Sequence, residues 1–151
     1  MKDAAHAATH APGRRSLARR LTVQALYQWL LNKTPAEAME RQFREQPEGL
    51  GRADRGYFDS LLQGTVAEVG RLDTLLVPHL DRPLEQLDPV EHAVLLLGAY
   101  ELSAEPGVPW RVIVNEAVEL TKLFGAEDGY KYVNGVLDRL AHDLRPVEIG
   151  A

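Results

Sequence analysis

Eight residues in two separated stretches have the types and spacing to bind a phosphodiester strand. Arg14, Arg15, Arg19 and Arg20 crowd the start of the chain, and Lys122, Lys131, Tyr132 and Asn134 gather near its end. A guanidinium fork grips phosphate oxygens and lies flat on a base. An aromatic ring offers any base a stacking surface worth roughly 1–3 kcal/mol, and an amide reads an exposed base edge. These groups act together only if the fold brings the two stretches to one surface. For Tyr132 the competing reading is an ordinary packed helix residue.

The segment from Val108 to Leu140 must position the second group. Val112, Val118, Leu120, Leu123 and Phe124 fall at helical spacings, and Val133, Val136, Leu137 and Leu140 repeat the pattern after Gly125. The spacing predicts two helices joined at a glycine. Gly125 is expected to take the positive φ of a helix C-terminus. Glu127 and Asp128 fall at the next helix start, where carboxylates complement the dipole.

The first group sits on a helix predicted from Arg14 to Asn32, with Ser16 as its cap. Leu17, Ala18, Leu21, Ala25, Leu26 and Trp29 mark the core side. Arg20, Gln24 and Tyr27 share another face, and Arg15 and Arg19 form a third line. One helix thus offers a buried side, a basic end and a polar-aromatic side, which suits contact with two partners. Residues 1–13 carry no apolar periodicity and end in Pro12-Gly13, the pattern of a disordered extension. His6 and His10 share a helical spacing there, but a tail explains them better than a metal site.

Thr34-Pro35 opens a second helix containing Met39 and Phe43, and Asp54 caps a third containing Tyr57, Phe58, Leu61, Leu62 and Val66. A break near Gly70 precedes Leu72, Leu75 and Leu76. Asp88-Pro89 is a strong start signal for a helix running to Ser103. That helix is apolar nearly all round and belongs at the centre of the fold. No segment shows strand alternation. The chain is expected to be all-α, with about seven helices in residues 14–146, divided in two by the turn cluster from Pro83 to Pro89.

A length of 151 residues fits one domain with a real core. The chain has no cysteine, which excludes disulfides and thiolate sites and fits a reducing cytoplasm. No apolar run approaches the roughly 20 residues of a membrane helix, and no signal-peptide core is present. The net charge of −5 argues against nucleic acid, but its distribution argues for it. Residues 1–20 hold five cations and one acid, a net of +4, which leaves −9 for the rest. Arginines at a helix N-terminus oppose the macrodipole, so folding alone does not favour them there.

Catalytic patterns are missing. Glu91-His92 has no second histidine four residues on, and phosphate-loop, dinucleotide and nucleophile-elbow glycines are absent. Glu116 and Glu119 lie one turn apart, as surface carboxylates commonly do. No enzyme activity, cofactor or metal is expected.

Four motifs in order give the chain a family resemblance: R-R-S-L-A-R-R-L-T-V-Q-A-L-Y-Q-W, D-R-G-Y-F-D-S-L-L-Q-G, L-D-P-V-E-H-A-V-L-L-L-G-A-Y-E-L, and V-N-E-A-V-E-L-T-K-L-F-G followed by G-Y-K-Y-V-N-G-V-L-D. Together they resemble the NusB family of bacterial transcription antitermination factors over nearly the whole length after residue 13. The resemblance implies two packed three-helix bundles. It implies binding to the ribosomal protein NusE and, with it, to boxA RNA of nascent ribosomal transcripts, within an antitermination complex with RNA polymerase. By the same match RNA contacts fall on Arg14, Arg15, Arg19 and Arg20 and on the K-F-V-N equivalent Lys131-Tyr132-Val133-Asn134. Tyrosine here replaces the family's usual phenylalanine. Asp128 matches an acid that modulates binding, and Tyr27 and Glu91 match the partner surface, which Gln24 adjoins. A helical module that self-associates without RNA is the alternative. A homodimer is compatible with either.

Overall fold

The apolar pattern folds as its periods require. A computed structural model describes residues 12–150, and among them are eight α-helices and no strand. The helices are α1 (Arg14–Asn32), α2 (Ala36–Arg44), α3 (Arg55–Ala67), α4 (Val69–Leu76), α5 (Pro89–Ala104), α6 (Trp110–Phe124), α7 (Gly129–Leu144) and α8 (Pro146–Gly150). Single 3₁₀ turns at Val77–His79 and Leu84–Gln86 fill the connection between the halves. Residues 1–11 of the expected tail, with the His6/His10 pair, lie outside the described residues. The eighth helix, α8, extends the expected count of about seven.

Helices α1 to α3 form one bundle and α5 to α7 the other, with α4 packed mainly on α5. The two bundles share α5, which packs against α1, α3, α4, α6 and α7. Residues 93–102 of α5 are all buried, so the helix without a polar face is the one surrounded on every side. Gly98 lets α7 approach. A Cβ there would stand 2.6 Å from Leu137 Cδ1.

Start signals are realised where a side chain reaches a backbone N–H. Asp54 accepts from the Tyr57 N–H at 2.9 Å, and Asp88 accepts from Val90 at 2.8 Å. Other expectations need correction. Gly13, not Ser16, precedes α1, and the Ser16 hydroxyl instead donates to Glu116 at 2.8 Å. Pro35 stands at the N-cap of α2 while Thr34 bonds the Asn32 side chain. The break between α3 and α4, expected near Gly70, falls at Glu68.

Gly125 is also corrected. Its φ is −95° with ψ −178°, extended backbone open to any residue. The left-handed position of this joint is Asp128, at φ 72°, and its side chain makes no cap hydrogen bond. Gly125 is small for a different reason: a Cβ would come 2.8 Å from the Thr121 carbonyl oxygen.

Candidate nucleic-acid interface

The α1 tip starts without help from its own turn. No side chain caps it, and its first turn holds arginines but no acid, so cations face the positive end of the helix. What holds it is α3: the Asp54 N–H donates to the Arg14 carbonyl at 3.0 Å. Arg14 and Arg15 are exposed, and the Arg15 guanidinium lies 4.2 Å from the centre of the Tyr57 ring. That stack keeps a long side chain extended with its outer face in water. The same backbone bond brings the start of α3 beside the tip and adds exposed Arg55 to its neighbourhood. Nothing in the sequence sets Arg55 apart from an ordinary residue at a helix start.

Arg19 does not join this surface, against expectation. It is 3% exposed, and Nε and Nη2 clasp the Glu101 carboxylate at 2.8 and 2.9 Å. Its Nη1 lies 3.6 Å from Glu116, and the Tyr57 hydroxyl donates to the same Glu101. Burial works against the Arg19 charge, but the hydrogen bonds and charge of Glu101 outweigh it and hold the guanidinium more firmly protonated than usual. Burial, with Glu101 beside it, pushes the Tyr57 hydroxyl well above its ordinary range. Every donor near Glu101 is thus kept in its donating form. Arg20, partly exposed, stays at the rim.

The second group surrounds the start of α7. Lys131 and Asn134 are exposed, and Lys131 Nζ lies 3.5 Å from the exposed carboxylate of Asp128. Lys122 at the end of α6 lies 4.8 Å from the Tyr130 ring and 3.7 Å from Glu119. Tyr132 is half-buried. Its hydroxyl accepts from the Asp81 N–H at 3.3 Å, and the Arg82 guanidinium covers its ring at 4.4 Å.

The two groups are carried by different helices. The tip is joined to α5 at Glu101, whereas the α7 start meets α5 at Glu91, which faces Gly129. Ten residues of helix, about 15 Å, separate those two positions.

On the third face of α1, Gln24 is exposed and Tyr27 is 39% exposed, with Leu31 one turn on. Glu91, expected on the partner surface, is 8% exposed. Its carboxylate occupies the space a Gly129 Cβ would need, 2.6 Å away. Burial and the nearby Asp88 raise its pKa, and Arg82 opposes them. Among the described residues no group of three or more His, Cys, Asp or Glu is placed to hold a metal ion, and no helix is long and apolar enough to cross a membrane.

Fold and site together define an all-helical double-bundle protein whose exposed chemistry is cationic and aromatic at two helix starts. The sequence model of the NusB family matches residues 16–142, and the chain belongs to that family. It is 48% identical over 152 residues to the transcription antitermination protein NusB of Ralstonia pickettii, covering 99% of this chain and 97% of that protein. With the protein of the same name from a Marinomonas species it shares 51% over 138 residues, covering 91% and 79%. The fold is similar to T. maritima NusB, with a TM-score of 0.77 at 28% identity over 89% of this chain and 94% of that one. It is also similar to a chain in a crystal structure of the antitermination factors NusB and NusE with double-stranded RNA, with a TM-score of 0.68 at 26% identity, covering 86% and 97%.

Proposed function

We propose that this chain is a transcription antitermination factor that binds boxA-type single-stranded RNA of nascent ribosomal transcripts together with the ribosomal protein NusE. In this reading it acts in the cytoplasm, as a binding component of a complex with RNA polymerase and not as a catalyst. The names of its relatives, and the NusB–NusE–RNA assembly formed by one of its structural neighbours, support the assignment. The observation that carries the RNA half is Arg15, exposed and stacked on Tyr57 at a helix tip pinned to α3. Arg14, Arg15 and Arg20 neutralise phosphate, while Lys122, Lys131, Asn134 and the surface built on Tyr132 engage the strand further along. Asp128 tempers Lys131 by pairing with it. Single-stranded RNA suits two such groups, because a strand with splayed bases reaches from one to the other while offering its faces to side chains.

NusE docks on the Gln24–Tyr27 face of α1 in this reading, with Glu91 contributing from its covered position only through its exposed edge. The body of the chain is acidic, so phosphate attraction comes mainly from the tip. RNA binding by the chain alone is therefore weak and tightens when NusE is added. Gel-shift titration of a boxA RNA, with and without NusE and against a scrambled control, tests this. Equal affinity for boxA and scrambled RNA in the presence of NusE refutes the specificity, and equal affinity with and without NusE refutes the cooperation.

A further inference from the structure

We infer that the base-stacking surface at the start of α7 is the guanidinium of Arg82, which no motif in the sequence marks, and that Tyr132 is its backing. The inference rests on the RNA-binding reading above and assigns a further residue to it. Asp81 builds the unit. Its backbone N–H donates to the Tyr132 hydroxyl at 3.3 Å, and its carboxylate accepts from Arg82 Nε at 2.6 Å and Nη2 at 3.1 Å. One residue therefore fixes both layers, the ring below and the guanidinium 4.4 Å above it.

The outer layer is the accessible one. The Arg82 side chain is 39% exposed, whereas Tyr132 packs against the core. A base approaching this site meets the guanidinium plane first. Stacking on a guanidinium uses the same flat, polarisable contact as stacking on an aromatic ring.

The pairing with Asp81 also decides what kind of contact Arg82 makes. Its charge is matched by a carboxylate in two-point contact, so the side chain offers shape more than net attraction for phosphate. Arg15 is the opposite case, because its stack on Tyr57 leaves the charge unmatched by any contact described above. The two arginines are thus separable by salt.

The test is fluorescence anisotropy of a labelled boxA RNA with the full chain and NusE, across a range of salt concentrations. Arg82→Ala should weaken binding roughly tenfold with no change in the slope of log affinity against log salt. Arg82→Lys keeps the charge but not the plane, and should lose nearly as much. Asp81→Asn releases the charge of Arg82 and should steepen the slope. Affinity retained in Arg82→Ala, or restored by lysine, overturns the inference. A shallower slope in Arg82→Ala does too, because it assigns Arg82 to phosphate. Thermal melting of each variant checks that the exposed substitutions leave the fold intact. Failure of the unaltered protein to bind boxA over scrambled RNA sinks the underlying reading, a result distinct from loss of the Arg82 effect alone.

Discussion

Arg19 on α1 and Glu101 on α5 meet in a two-point ion pair 82 residues apart in sequence, with side chains 4% and 2% exposed. A pair this deep holds its place because each partner neutralises the other. Removing one leaves a buried charge, at about 3–5 kcal/mol. Arg19→Ala should therefore lower stability in urea unfolding by about that amount. Arg19→Met with Glu101→Gln removes both charges, keeps an acceptor for Tyr57, and should recover much of the loss. A single variant as stable as the parent would show that the pair is not buried in solution.

Arg15, one turn before Arg19, behaves in the opposite way. Its stack on Tyr57 is exposed and worth about 0.5–1 kcal/mol, so Arg15→Ala should barely move the melting temperature. If it meets phosphate, its loss reduces the salt slope of RNA binding by about one unit. Measured side by side, the two variants should separate cleanly: Arg15→Ala alters the slope without the melt, and a folded Arg19 variant alters the melt without the slope.

That separation marks where sequence reading ends. Asp54 and Asp88-Pro89 announce their helices because a cap acts over three residues. The all-apolar run of α5 announces its own burial for the same local reason. Arg19 shares its line with Arg15, and nothing within a helical turn tells them apart; what buries one and not the other is Glu101, from the other bundle. Arg82 was hidden differently. Followed by Pro83, it reads as a turn residue until the fold lays it on Tyr132. Asp128, rather than Gly125, takes the left-handed conformation, which an aspartate tolerates better than most side chains but which no spacing in the sequence assigns to it.

Glu91 provides a pH signature. Burial, with Asp88 adding to it, raises its folded pKa above the ordinary 4.5, so the folded state binds its proton more tightly than the unfolded chain does. Stability from this group is therefore full at low pH and is lost as pH rises through the folded pKa. Glu91→Gln should raise the melting temperature at neutral pH by about 1–3 °C, with the gain shrinking below pH 4.5. A gain that persists unchanged in acid would assign the effect to packing against Gly129 instead of charge.

The end of the chain ties the second bundle together through two helix ends at once. Arg145 donates to the carbonyls of Leu102 at 2.8 Å, Glu105 at 3.0 Å and Val108 at 3.1 Å, which terminate α5 and line the loop after it. Glu148, in α8, accepts from the Trp110 N–H at 2.8 Å, the first donor of α6. Both are groups that a helix leaves without internal partners. Arg145 is buried, and truncating it takes the donors away from all these carbonyls at once, so Arg145→Ala should cost about 2–3 kcal/mol. Lysine should recover only part, since a single ammonium cannot reach three diverging carbonyls as a planar fork does. Glu148 adds the acid side of the same clamp. The Trp110 N–H and then Arg145 hold its pKa below the ordinary 4.5, so its contribution is present above that value and is lost as pH falls through the lowered one. Melting curves of Glu148→Gln and the parent should differ at neutral pH and converge in acid. Curves that differ equally at both would mean that the carboxylate's charge has no part in closing α8 onto α5 and α6.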